Sequence, residues 1–289
     1  MTAAQFDALL AASRCFGGAT LFGWTLDLSL TLPLALAAGL YATGTARLWT
    51  RAGIGHGARW KQVACFTAGW LALGIALLSP LHEASRTLFT AHMIEHEVLM
   101  IAAAPLLVLA RPLPVMLWAL PLGWRRGLSG IMAWPAIATV WAFLSAPLIA
   151  TVLHGIAIWA WHMPVLFEAA LLREPVHWAQ HLSFLVTALL FWWALFYGHR
   201  GQGYGASVGH LFATAGHTGL LGVLIALSPH LWFPLQVQRA AAWGLTPMQD
   251  QELAGLVMWI PSGLVYALAA LAMAALWIRA SSRSCPAFS

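Results

Sequence analysis

Runs of apolar residues, each about as long as a bilayer is thick and separated by short polar stretches, recur along the whole chain. Seven can be marked, over residues 27–47, 62–80, 89–110, 131–153, 177–197, 207–229 and 253–278. About twenty apolar residues carry an α-helix across a bilayer. Lipid cannot satisfy an open backbone, so helices are the expected spanning element. The pattern therefore predicts an all-α, polytopic membrane protein of about seven transmembrane helices. Pro80, Pro112, Pro175 and Pro229 fall at the boundaries of runs, whereas Pro105 and Pro147 lie inside them and are expected to kink the helices.

Composition supports lipid as the main solvent. Of 289 residues, 61% are hydrophobic and only 8% are charged; soluble domains carry about 25% charged residues. The net charge of +5 does not point to nucleic acid, because the basic residues sit in short loops rather than on an aromatic-studded patch. Cys15, Cys65 and Cys285 are far apart, so no disulfide framework is expected. Residues 1–25 hold one basic residue, Arg14, and no basic start before an apolar core, which argues against a signal peptide. "FDALLAASRCF" reads as a short interfacial helix. "GQGYG" (201–205) reads as a flexible turn, since no strand precedes it.

Charge also sets an expected orientation. Ten of the fourteen basic residues, including Arg47, Arg51, Arg111, Arg125, Arg126, Arg200 and Arg279, fall on one side of the spans. That side is expected to be cytoplasmic, with the N-terminus outside and the C-terminus cytoplasmic. The domain reading is an N-terminal outer or interfacial segment over 1–26, the helical domain over 27–278 and a cytoplasmic tail over 279–289. All nine acidic residues fall at the outer ends of spans or in outer loops, as on a face built to handle cations. The seventeen tryptophans, among them "FWW" (191–193) and "WAW" (159–161), fit aromatic belts at the two interfaces. "GHTGLLG" (216–222) offers small residues for close helix packing, within the chain or between copies.

The candidate chemistry is histidine. In "AHMIEHEVLM" (91–100), His92 and His96 lie one helical turn apart, with Met100 continuing the stripe, Glu95 on the same side and Glu97 pointing elsewhere. "REPVHWAQHLSF" repeats the spacing with His177 and His181, with Glu174 on their stripe, and "WAWHMP" adds His162. Eight of the twelve histidines fall at outer ends of spans; of these His82, His154 and His230 read first as interfacial anchors. His217 is nearer mid-membrane, and His56, His199 and His210 are on the inner side. Polar residues at the head of a span are costly to bury and are functional by default. Imidazole with thioether favours copper, Cu(I) above all; imidazole alone also suits zinc, iron or nickel.

Four blocks carry a family resemblance. "LFTAHMIEHEVLMIAAAPLLVLARPL", "WHMPVLFEAAL", "HWAQHLSFLVTALLFWWAL" and "WGLTPMQDQELAGLVMWIPSGLVY" resemble the multi-spanning CtaG family of cytochrome c oxidase assembly factors. The resemblance covers most of residues 27–278. It implies a seven-helix protein of the bacterial inner membrane that assists assembly of haem–copper oxidase, with copper delivery as its supposed role. His92, His96, His162, His181, Asp250 and Gln251 are the matching positions. Glu95 stands where the family often has glutamine, and Glu97 where it is commonly apolar.

These readings converge on a non-enzymatic assembly factor holding copper at its periplasmic face. Its expected partners are haem–copper oxidase subunits and the lipid bilayer, with no nucleic acid and no small-molecule substrate. His92, His96, His162, His181 and Met100 are the candidate ligands; Glu95, Asp250, Gln251 and His177 are their candidate supports. Two alternatives stay open. One is a haem protein with axial histidines such as His96 or His181 with His217. The other is a metal or proton transporter through His217.

Overall fold

The computed structural model describes residues 20–21, 23–198 and 203–284. The interfacial helix expected at "FDALLAASRCF", together with Cys15, His199, Arg200 and Cys285, falls outside these residues. Apart from a two-residue hairpin, β1 (Thr20–Leu21) on β2 (Trp24–Thr25), every regular element among the described residues is helical. In chain order they are α1 (Leu28–Ala52), α2 (Trp60–Leu78), α3 (Pro80–Ser85), α4 (Phe89–Ala110), α5 (Pro112–Leu117), α6 (Leu122–Ala133), α7 (Pro135–Leu144), α8 (Pro147–Trp161), α9 (Pro164–Leu172), α10 (Glu174–Tyr197), α11 (Gly203–Ala226), a 3-10 stretch (Gln236–Trp243) and α12 (Pro247–Ser284).

Six of these are long and apolar enough to cross a membrane: α1, α2, α4, α10, α11 and α12. The pairs α6–α7 and α8–α9 qualify only jointly, and bend by 66° and 73°. The single kinked span expected over 131–153 is therefore corrected. Trp134 and Ala146 are extended, with ψ of 129° and 133°, because a following proline disfavours the helical region. Pro135 and Pro147 then each start a new helix, where a missing N–H costs nothing. Pro147 begins α8 rather than kinking a span.

Pro105 is accommodated differently. The turn before it, Val98–Ala103, is a π-helix, after which α geometry resumes at Ala104. A proline ring collides with the carbonyl four residues back, and the wider π turn removes that collision. The "GQGYG" turn is also corrected in part: Gly203, Tyr204 and Gly205 form the first turn of α11. The last helix runs to Ser284, past the expected boundary at 278.

The outward faces of the long helices are apolar, as lipid requires; Leu32 on α1 and Leu264 on α12 are 64% and 60% exposed. Inside, α4 is the most enclosed span, with 56% of its apolar window buried. Phe89 and Met100 of α4, Phe184 and Trp192 of α10 and Tyr266 of α12 share one apolar cluster. The belt expected at "FWW" is thus half wrong: Phe191 and Trp192 are fully buried, and the Trp192 indole N–H donates to the Met100 carbonyl at 2.9 Å. Two of the glycines of "GHTGLLG", Gly219 and Gly222, pack within the chain against α12, while Gly216 is exposed. A Cβ on Gly255 would sit 2.6 Å from the Gly222 carbonyl oxygen, so α11 and α12 touch backbone to backbone there.

Candidate metal centre

Four helices bring histidines to one end of the bundle: α3 (His82), α4 (His92, His96), the end of α8 (His162) and α10 (His177, His181). The local reasons differ. Ser79 accepts from Leu81 N at 3.2 Å and Pro80 opens α3, turning His82 inward one residue later. Helix α4 has no cap of its own, because Leu88 precedes it. Asp250 of α12 supplies the cap across the fold. Its two oxygens accept from Phe89 N at 2.8 Å and Thr90 N at 2.9 Å, and the Thr90 hydroxyl donates to it at 2.7 Å. The cap fixes the turn from which His92 projects.

The i, i+4 spacing does what its periodicity implies. The His92 and His96 rings lie 4.2 Å apart between centroids, and so do those of His177 and His181. The two pairs face each other, with His96–His181 at 5.1 Å, His92–His177 at 5.9 Å and His92–His181 at 6.4 Å. His82 closes one side, 5.8 Å from His177, and Phe184 and Phe167 wall the cluster against His96 and His92. Five of the six rings are buried, and His177 is half-buried.

Hydrogen bonding leaves one nitrogen of most rings uncommitted. His162 Nδ1 donates to the Ile158 carbonyl at 2.7 Å, and its Nε2 has no partner. The His92 ring lies against the Ser85 backbone carbonyl, and its Nε2 has no partner. His82 Nδ1 donates to Glu95 Oε1 at 2.6 Å, with His181 Nδ1 3.9 Å from the same oxygen. His181 Nε2, both nitrogens of His96 and Glu95 Oε2 are buried and unpaired as well. Buried polar atoms are otherwise nearly always satisfied. A metal ion resolves such a set, because a ring held at one nitrogen by an outer partner, as in His162 and His82, keeps the other for the ion. His92, Glu95 and His177 already bring one ligand atom each to within 4.8 Å of one another. The donors are imidazole nitrogen and carboxylate oxygen, which fits a borderline transition metal rather than magnesium or calcium.

The structure thus brings together His92, His96, His162, His177, His181 and Glu95. It puts three other candidates elsewhere. Met100 lies in the π turn and packs in the apolar cluster with Phe184 and Trp192. Asp250 acts on the helix terminus. Gln251 accepts from Trp232 N at 2.7 Å and donates to the His230 carbonyl at 3.0 Å, pinning that loop to α12. Two residues were missed from sequence. His82, read as an anchor, is buried and bound to Glu95. Gln180, on the turn between His177 and His181, is fully buried with both amide atoms unpaired. His154, also read as an anchor, is buried, and its Nδ1 lies 3.1 Å from Thr187 Oγ1; His230 is exposed as expected.

No solved structure matches this chain. Uncharacterized proteins of Mycobacterium bovis and Mycobacterium tuberculosis are each 27% identical to it over 259 residues, which is 86% of this chain and 38% of theirs. One from Mycobacterium leprae is 26% identical over 229 residues, 77% of this chain and 35% of its own. The chain therefore spans less than two-fifths of the length of these relatives. Residues 39–280 match the model of the cytochrome c oxidase caa3 assembly factor family (Caa3_CtaG), and the chain belongs to that family.

Proposed function

We propose that this membrane protein holds a copper ion in the six-histidine cluster and passes it to a nascent haem–copper oxidase subunit, without catalysing a reaction of its own. The observation that carries the reading is the convergence of unpaired, buried His92, His96, His162 and His181 nitrogens with Glu95 Oε2 at one end of the bundle. Family membership supports the oxidase as recipient. The arrangement favours His92, His96, His177 and His181 as the nearest ligands, with Glu95 compensating charge and bracing His82.

The cluster end faces the periplasm of a bacterial inner membrane in this reading. Arg47 donates to the Trp118 and Ala119 carbonyls, and Arg51 and Arg125 lie over the Trp118 ring, so basic side chains gather at the opposite end of α1. Half-buried His177 is the point of entry and exit.

The test is the metal content of purified protein after anaerobic Cu(I) loading, beside a His92→Ala/His96→Ala variant. Near-stoichiometric copper in the parent, lost in the variant, is the expected result. No copper in either would end the metal reading.

A further inference from the structure

Far from the histidines, α1 and α2 flank an open groove of about 500 Å³ toward the arginine-bearing end of α1. That volume is within the usual range for a small-molecule site. Tyr41, Trp49, Trp60, Phe66 and Trp70 supply its aromatic walls, and alanines on α1 leave the room. The Tyr41 and Phe66 rings stack at 3.7 Å, nearly parallel at 11°, and Trp49 tilts on Trp60 at 4.6 Å. These are flat aromatic surfaces of the kind a conjugated ring stacks on.

The polar atoms in the walls are specific. The indole N–H of Trp49 donates to the Ala58 carbonyl at 2.8 Å, and that of Trp70 to the Leu34 carbonyl at 2.9 Å. The Tyr41 and Thr45 hydroxyls differ from both: they are buried and have no partner among the described residues, whereas the remaining donor-bearing wall residues, Trp60 and Thr67, are exposed. Thr45 departs from the habit of its fellows. Thr31, Thr151, Thr187, Thr214 and Thr218 all donate to the carbonyl four residues back, as helical threonines do. Tyr41 and Thr45 are one turn apart, so the two donors share a face of α1. Among the described residues, no charged side chain lines the groove.

We propose that this groove binds a lipid-soluble quinone, its ring stacked among the aromatic walls and its carbonyl oxygens accepting from Tyr41 and Thr45. An acyl chain fills such a groove but accepts no hydrogen bond, leaving both donors unpaired in hydrocarbon. A phospholipid headgroup brings charge that nothing in the walls answers. A quinone offers two neutral acceptors, a flat ring and an apolar tail. The site is independent of the metal reading and stands or falls without it.

The test uses the full-length protein in phospholipid nanodiscs, titrated with decylubiquinone and followed by tryptophan quenching. Saturable binding is expected, with decylbenzene, which lacks the carbonyls, unable to compete. Tyr41→Phe with Thr45→Val, which keeps the shape and removes both donors, should weaken binding about tenfold or more. Ala42→Phe, which fills the groove, should abolish it. Equal competition by decylbenzene, or unchanged affinity in the hydroxyl-free variant, would overturn the proposal and leave an acyl-chain groove. If the double variant does not accumulate, Tyr41→Phe alone should still weaken binding, and unchanged affinity there would overturn the proposal in the same way.

Discussion

Replacing Glu95 with glutamine separates charge from shape at the centre of the cluster. The carboxylate is fully buried, accepts from His82 at 2.6 Å and lies within 4.8 Å of candidate ligand atoms of His92 and His177. At an effective dielectric of about 20, a unit charge about 5 Å from a cation contributes about 3 kcal/mol per positive charge before desolvation. Loss of an outer-sphere carboxylate partner typically lowers metal affinity by about 10–100-fold, or about 1.4–2.7 kcal/mol. The two figures agree on scale, so Glu95→Gln is expected to weaken Cu(I) binding by at least about tenfold. Helix content should not change, because the amide oxygen still accepts from His82. The assay is anaerobic competition with a chromogenic Cu(I) chelator, parent against variant. An affinity within about twofold of the parent would refute the argument that Glu95 compensates the ion.

Other substitutions separate site from scaffold. Asp250→Ala removes the cap shared by Phe89, Thr90 and the Thr90 hydroxyl. It should cost about 1–2 kcal/mol of stability and raise amide exchange at Phe89 and Thr90; unchanged exchange there would contradict the capping role. Met100→Leu should leave Cu(I) affinity unchanged, because the thioether packs in the apolar cluster; a tenfold loss on chelator competition would restore it as a ligand. Gly255→Leu forces a side chain into backbone atoms 2.6 Å from its Cβ position and should prevent accumulation of folded protein, read by size-exclusion of detergent extracts.

Periodicity made some of the site legible and topology hid the rest. His92/His96 and His177/His181 are pairs within single helices, so spacing alone put each pair on one face. That α4 and α10 turn those faces toward each other is a matter of packing, which spacing does not carry. His82 was hidden because its partner, Glu95, belongs to a different helix, and a histidine beside Pro80 reads as an interfacial residue. Asp250 was hidden for a similar reason: Leu88 at the N-cap position carries no capping side chain, but Thr87 just before it reads as a cap on paper. The fold shows the same division. Hydropathy marked the six long helices, with ends up to six residues off, but it is blind to backbone breaks. It ran residues 131–153 together although Trp134 and Ala146 are forced extended by the prolines after them. The π turn before Pro105 follows from the proline's steric demand, yet a kink satisfies that demand equally well on paper.

The most direct test of the metal reading is copper K-edge X-ray absorption on the anaerobically loaded protein, beside a His96→Ala/His181→Ala variant. One copper per chain is expected, with a first shell of imidazole nitrogen and no sulfur, and with imidazole scattering that the variant loses. A sulfur shell, or a spectrum the variant leaves unchanged, would place the copper elsewhere and contradict the six-histidine site.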